Sequence, residues 1–116
     1  MKQNIIAKTK YKEGYWLVWE TGFNDVHKKY NDQFTDKAEL KNDIQVTLKD
    51  DKGKYLGDAI CHYGSYGVEN GEWEIMIDSL PKNWGDSVKG YLTWKEVEYY
   101  FDKKIKSLTP KRGKHD

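Results

Sequence analysis

The sequence predicts an α+β fold, in which an antiparallel β-sheet meander carries a C-terminal amphipathic helix packed on one of its faces. Polar and apolar residues alternate at 44–49 and again at 72–78, as they do in half-buried strands, and turn sequence lies between these segments. Near the end of the chain, a helix-capping sequence is followed by apolar residues at spacings of three and four. These patterns favour one sheet and one helix that share a core.

The first predicted strand is "YWLVWE", residues 15–20, whose apolar residues are aromatic or aliphatic and follow one another without a break. Gly14 and Gly22 bound this run, so we expect a strand that is covered on both faces. The polar segment that follows, residues 23–42, is predicted to be a loop with one helical turn after Thr35.

Further strands are predicted in the middle of the chain. "IQVTLK" at 44–49 and "KYLGDAICHY" at 54–63 form a hairpin joined by the turn sequence "DDKG". In the next strand, residues 72–78, the side chains predicted to point inward are those of Trp73, Ile75 and Ile77. Pro81 is expected to end this strand, because proline cannot donate a hydrogen bond to the sheet.

The C-terminal helix has the strongest local signal. Thr93 and Glu96 form an S/T-x-x-E capping box, in which two reciprocal hydrogen bonds satisfy backbone N–H groups at the start of a helix. Pro110 ends the helix, whose apolar stripe consists of Trp94, Val97, Phe101, Ile105 and Leu108. We expect this stripe to pack on the sheet. The alternative is that it stays exposed and binds a groove on a partner.

Length and charge limit the class of protein. The 116 residues fit one domain, for which we expect residues 1–109, followed by a disordered basic tail at 110–116. The formal net charge of +1 argues against a DNA mimic, which would be strongly acidic, and against nucleic-acid binding by bulk electrostatics. One cysteine cannot form a disulfide within the chain, and no apolar run suits a signal peptide or a membrane span. We therefore expect a cytoplasmic protein with no membrane partner.

The stretch "CHYGSYGVENG", residues 61–71, contains three glycines that invite comparison with a phosphate-binding loop. Such a loop follows a strand and opens a helix, whose N-terminal N–H groups hold the anion. Here the glycines lie between two predicted strands, and neither the P-loop pattern nor G-x-G-x-x-G occurs. We therefore predict a turn at Asn70 and Gly71, and no cofactor.

No set of residues in the sequence predicts a catalytic or metal centre. Cys61 and His62 are neighbours in a predicted strand, so their side chains point to opposite faces and cannot pair as nucleophile and base. The other histidines lack the spacing of zinc ligands. Glu72 and Glu74 share one strand face and could act as paired carboxylates, but such residues also keep a strand edge solvated. We expect a protein without enzymatic activity.

The chain contains 5 Trp and 9 Tyr, more than a small core can bury, which predicts exposed aromatic side chains that contact a partner. The candidate interaction surface combines such residues with the basic tail and consists of Tyr63, Tyr66, Trp84, Lys111 and Arg112. The expected partner is a host protein. The alternative is a single-stranded nucleic-acid-binding accessory protein that uses the tail and sheet tyrosines, namely Tyr11, Tyr15, Tyr63 and Tyr66.

Two stretches, "YGSYGVENGEWEIMI" from residue 63 and "GYLTWKEVEYYF" at 90–101, resemble small uncharacterised proteins of Firmicutes phages and prophages. The pattern of that group is a "YSYG…GLWEI" strand followed by "GYLTEEEV" at the start of a terminal helix. Trp94 and Lys95 depart from this pattern, because they replace acidic residues. The resemblance defines no catalytic residue. It implies a phage or mobile-element accessory protein that binds a host factor, such as an inhibitor of bacterial defence of the anti-CRISPR kind.

Overall fold

The computed structural model describes residues 4–22, 42–62, 64–77 and 88–108. Within them the chain forms one six-stranded antiparallel sheet and one C-terminal helix that packs against it. The strands lie in the sheet in chain order: β1 (Asn4–Lys12), β2 (Tyr15–Thr21), β3 (Asp43–Asp50), β4 (Tyr55–His62), β5 (Trp73–Met76) and β6 (Val88–Leu92). The helix, α1, spans Trp94–Leu108. The predicted α+β meander with a C-terminal helix is confirmed.

Four of these strands lie where the sequence pattern predicts them, and two strands are additional. β1 and β6 are the outermost strands of the sheet within the described residues. β1, with the sequence "NIIAKTKYK", has lysines at alternate positions, and lysines commonly protect a sheet edge from pairing with another chain. β6 spans only five residues and contains Gly90, so it offers too little alternation to be recognised.

The turn between β3 and β4 forms where "DDKG" predicts it. The backbone N–H of Gly53 donates to the Asp50 carbonyl at 3.0 Å. The Asp50 carboxylate accepts the backbone N–H groups of Lys52 and Lys54, each at 2.9 Å. One acidic side chain thus satisfies two amides that the tight turn would leave unpaired.

The core lies between the sheet and α1. Directly paired residues of neighbouring strands point to the same face, so the pairs Leu17–Leu48 and Val46–Ala59 both face the helix. The completely buried side chains of this core are those of Val46, Leu48, Ala59, Ile75, Val97 and Phe101. Each large apolar side chain that is buried in this way stabilises the fold by about 1.5–3 kcal/mol.

Helix α1 begins with the predicted capping box. The Thr93 backbone N–H donates to the Glu96 carboxylate at 2.8 Å, and the Glu96 backbone N–H donates to the Thr93 hydroxyl at 3.2 Å. The predicted apolar stripe is wrong at its last residue, because Leu108 is 41% exposed. Leu108 ends the helix and lines an open cavity beside Tyr55 and Met76 instead of packing on the sheet.

Strand β2 is buried on both faces at its centre, as "YWLVWE" predicts. Leu17 belongs to the core, and Val18, on the opposite face, is buried as well. Val18 pairs with Thr47 of β3, which pairs with Asp58 of β4, and both of these polar residues are also buried. The sheet therefore has a second, more polar face on which the central row of side chains is shielded from solvent.

Several predictions concern residues outside the described ranges. These are the helical turn after Thr35, the position of Pro81 and the tail at 110–116, while β5 itself ends at Met76, before the predicted end at residue 78. In the described part of the chain, no helix has the length and hydropathy that crossing a membrane requires.

Candidate interaction surfaces

The glycine-rich stretch forms the connection between β4 and β5, as predicted. Its centre is one turn of 3-10 helix at Val68–Asn70, flanked by Gly67 and Gly71. The backbone N–H of Glu72 donates to the Gly67 carbonyl at 2.9 Å, which closes the connection before β5 begins. Because these glycines link two strands and open no α-helix, they do not form a phosphate-binding loop. The connection is longer than a two-residue turn at Asn70–Gly71, and it contains a completely buried residue, Val68.

Cys61 and His62 both lie in β4 and therefore point to opposite faces of the sheet. Cys61 pairs with Ile44 and is only 4% exposed. Burial disfavours the charged thiolate and raises the pKa of the Cys61 thiol to about 11. The thiol is therefore protonated at neutral pH, and the interpretation of Cys61 as a small buried apolar residue is confirmed.

We expect the Cys61 thiol of the native protein to react slowly with a disulfide reagent, and to react quickly after denaturation. The thiol ionises near 9 when it is unfolded and near 11 when it is folded, so the unfolded state loses its proton first. The free energy of unfolding should therefore fall as the pH rises from about 9 to 11, and Cys61→Ala should lack that contribution. Labelling of the native protein as fast as that of the denatured protein would contradict the burial.

Among the described residues, no three His, Cys, Asp or Glu side chains come together in a way that could hold a metal ion. The Glu74 carboxylate of β5 has a structural contact instead. Glu74 accepts the backbone N–H of Tyr66 at 2.9 Å, so its carboxylate holds the β4–β5 connection in place. This contact gives Glu74 a role that does not require chemistry on a substrate.

Tyr66, in the β4–β5 connection, and Tyr91, in β6, form an exposed pair of stacked rings, which we name the tyrosine pair. The ring centroids are 6.1 Å apart, and the ring planes are inclined by 20°. Tyr66 is 59% exposed and Tyr91 is 60% exposed. The backbone N–H of Tyr91 donates to the Tyr66 carbonyl at 3.3 Å. The two residues are therefore joined through the backbone, while their side chains remain largely exposed.

The backbone of Tyr91 is strained. Its φ of 61° lies in the left-handed region, and no other non-glycine residue in the described ranges has a positive φ. This conformation costs a non-glycine residue about 1–2 kcal/mol, and it persists only where the surrounding structure holds it. Such strain is concentrated at functional sites in proteins. Here it fixes the position of an exposed aromatic side chain.

Two glycines allow the tyrosine pair to form. A Cβ atom on Gly90 would lie 2.3 Å from the Cβ of Tyr66, closer than two such atoms can approach. A Cβ atom on Gly67 would lie 3.1 Å from the Cα of Tyr91, and Gly67 also has a φ of 95°. The β4–β5 connection can therefore lie directly against β6 only because these positions have no side chain.

Of the predicted interaction surface, only Tyr66 lies within the described residues, and its side chain is exposed. The other members of this surface, Tyr63, Trp84, Lys111 and Arg112, lie outside the described ranges. Sequence reasoning missed Tyr91. The only local signal was the preceding glycine, because the contact with Tyr66 joins residues that are 25 positions apart in the chain.

Of the tyrosines proposed to stack on nucleic-acid bases, Tyr11 and Tyr15 do not share an exposed face with Tyr66, and Tyr63 lies outside the described ranges. Tyr11 and Tyr15 lie on the helix side of the sheet and pack against the core. The Tyr11 ring meets Phe101 edge-on at 6.2 Å, and its hydroxyl donates to the Asp102 carboxylate at 2.8 Å. Burial, together with this carboxylate, raises the pKa of Tyr11. Helix α1 thus covers the Tyr11 ring, which base stacking needs to be open.

The tyrosine pair is built from the β4–β5 connection and β6, and it combines exposure with a fixed geometry. Comparison with protein-family models, with curated proteins and with solved structures finds no significant match to this chain.

Proposed function

We propose that this protein has no enzymatic activity and acts by binding a partner protein through the tyrosine pair. The observation that supports this proposal is the pair itself, two largely exposed rings that stack on each other beside a strained backbone. The fold holds Tyr91 in this strained conformation through the hydrogen bond to Tyr66 and the ring stack, yet both rings stay largely exposed and add little to the protein's own core. Contact with a partner would bury these rings.

Tyrosine suits this role for a physical reason. Its ring brings a large apolar area to an interface, and few rotatable bonds are immobilised when it binds. Residues that are already held in the bound geometry lose still less conformational entropy. The hydrogen bonds at Tyr66 and the close approach at Gly90 hold the pair in this way before any partner arrives.

The nature of the partner is proposed from the sequence resemblance. Phage and prophage accessory proteins act inside the bacterial host, so we propose a host protein in the host cytoplasm as the target. Inhibition of a bacterial defence system would be the consequence of that binding. The tyrosine pair lies within the two stretches that carry the resemblance, and this coincidence supports its assignment as the target-binding surface.

The test is affinity purification of the tagged protein from bacterial cells, with identification of bound proteins by mass spectrometry. Tyr91→Gly removes one ring, and glycine adopts the left-handed conformation without a steric cost, so the fold should persist. Tyr99→Ala is the matched control, because Tyr99 is 56% exposed on α1 and its ring contacts Tyr100 and Lys103. The wild type and the control should both retain a stoichiometric partner, and Tyr91→Gly should lose it.

Two outcomes would contradict the proposal. One is the absence of a stoichiometric protein partner in both uninfected and phage-infected cells. The other is a partner that binds Tyr91→Gly as well as it binds the wild type, while thermal denaturation shows that both proteins are folded.

A further inference from the structure

The sheet face opposite α1 has a row in which cations and aromatic rings alternate across four strands. Lys10 of β1 pairs with Trp16 of β2, Trp16 pairs with Lys49 of β3, and Lys49 pairs with Tyr55 of β4. Directly paired residues point to the same face, so the four side chains form one line, which we name the cation–aromatic row. Tyr55 belongs to this face because its hydroxyl reaches the Asp58 carboxylate, which also lies there.

Both rings of the row are anchored through their polar atoms. The Trp16 indole N–H donates to the Asp51 carboxylate at 2.8 Å. The Tyr55 hydroxyl donates to one carboxylate oxygen of buried Asp58, and the side-chain amide of Gln45 donates to the other at 2.9 Å. These bonds involve the polar atoms at the ring edges, and Tyr55 is 51% exposed. The rings are therefore held in position before a ligand binds.

The surroundings of the row are rich in lysine, although the net charge of the whole chain is only +1. The Lys8 ammonium lies 5.0 Å from the centre of the Trp16 ring. Around the row and the adjoining turns there are five lysines and four acids, which are Lys8, Lys10, Lys49, Lys52, Lys54, Glu13, Asp50, Asp51 and Asp58. Of the acids, Asp50 accepts the turn amides, Asp51 accepts the Trp16 indole N–H, and buried Asp58 accepts the Tyr55 hydroxyl. Glu13 forms an exposed ion pair with Lys10 at 3.6 Å, which a phosphate can replace at little cost.

We propose that the cation–aromatic row binds single-stranded nucleic acid, independently of the tyrosine pair. Bases would stack on Trp16 of β2 and Tyr55 of β4, which are separated by two strand spacings, or about 10 Å. Phosphates would contact Lys8, Lys10 and Lys49. Alternation of rings and cations favours this ligand over an acidic peptide, which needs the cations alone. A duplex fits less well, because its bases are already stacked inside the helix. In this proposal the row, rather than the partly buried Tyr11 and Tyr15, stacks with the bases.

Fluorescence anisotropy with a labelled oligothymidylate of about 12 nucleotides tests the proposal on the full chain. We expect binding at low salt. The logarithm of the association constant should fall with the logarithm of the salt concentration at a slope of about −2, because each of three phosphate contacts contributes about 0.7 to the slope. Trp16→Ala should weaken binding at least about fivefold, because stacking of one base is worth at least about 1 kcal/mol. Trp16→Phe, which keeps a ring, should retain most of the affinity.

Matched variants separate this site from other surfaces. Lys10→Gln and Lys49→Gln should each lower the salt slope by about 0.7. Lys103→Gln removes an equal charge from a cation–aromatic contact on α1, where Lys103 lies 5.4 Å from the Tyr99 ring, and it should leave binding unchanged. Tyr91→Gly should also leave it unchanged, because the tyrosine pair belongs to the protein interface.

The proposal is overturned by the absence of binding at low salt, or by a folded Trp16→Ala variant that binds like the wild type. If Trp16→Ala does not fold, the two lysine variants decide, and an unchanged salt slope overturns the proposal. Displacement of the oligonucleotide by polyglutamate as readily as by unlabelled oligothymidylate would also overturn it, because the row would then be a surface for acidic protein segments.

Discussion

Replacing Phe101 with alanine is expected to lower the free energy of unfolding by about 3–5 kcal/mol. The Phe101 side chain is completely buried between α1 and the sheet, and its ring meets the Tyr11 ring edge-on. Truncation removes this buried area and leaves a cavity that rigid neighbouring strands cannot fill. A small domain has a total stability of about 5–15 kcal/mol, so this single change should lower the melting temperature strongly.

Thermal and urea denaturation of the isolated protein measure this effect. Thr93→Ala serves as the control in the same helix, since it removes one capping bond and should cost only about 1 kcal/mol. The sequence left open whether the apolar stripe of α1 faces the core or a partner, and the buried Val97 and Phe101 place it in the core. An unchanged melting temperature for Phe101→Ala would contradict that placement.

Gly90→Ala is expected to destabilise the protein by about 1–3 kcal/mol, although it adds only a methyl group at a partly exposed position. The new Cβ atom would lie 2.3 Å from the Cβ of Tyr66, so β6 and the β4–β5 connection must move apart. The stacked rings of Tyr66 and Tyr91 should separate as a result, and the near-ultraviolet circular dichroism of the tyrosines should change.

A double-mutant cycle checks the cause of this destabilisation. Tyr66→Gly removes the atom that the new methyl group would strike, so Gly90→Ala should cost clearly less in a Tyr66→Gly background than in the wild type. Equal costs in both backgrounds would show that the contact between these residues does not explain the effect.

The sequence predicted the elements that carry a strong local pattern. Alternation in "IQVTLK" and "EWEIMID" gave the strands and their inward faces, and the Thr93–Glu96 box gave the start of α1. It did not reveal β1, because an edge strand needs few apolar residues and carries lysines in their place. The short β6 is defined by pairing with β5, which is a non-local property.

The candidate site was predictable only in part. Excess aromatic residues indicated exposed rings, and Tyr66 is one of them. Which rings are exposed depends on the face that α1 covers, so the partial burial of Tyr11 and Tyr15 could not be predicted from the sequence. The left-handed conformation of Tyr91 and its stack with Tyr66 arise from the fit of two segments, which no local pattern encodes.

The central claim is that the tyrosine pair binds a partner protein, and calorimetric titration of the captured partner with purified variants tests it most directly. Tyr91→Gly should weaken binding by at least about 2 kcal/mol, or roughly 30-fold, as expected for a tyrosine at an interface hot spot. Tyr99→Ala, an equally exposed tyrosine on α1, should change the affinity by less than about 0.5 kcal/mol. Equal affinities for the wild type and a folded Tyr91→Gly would contradict the claim.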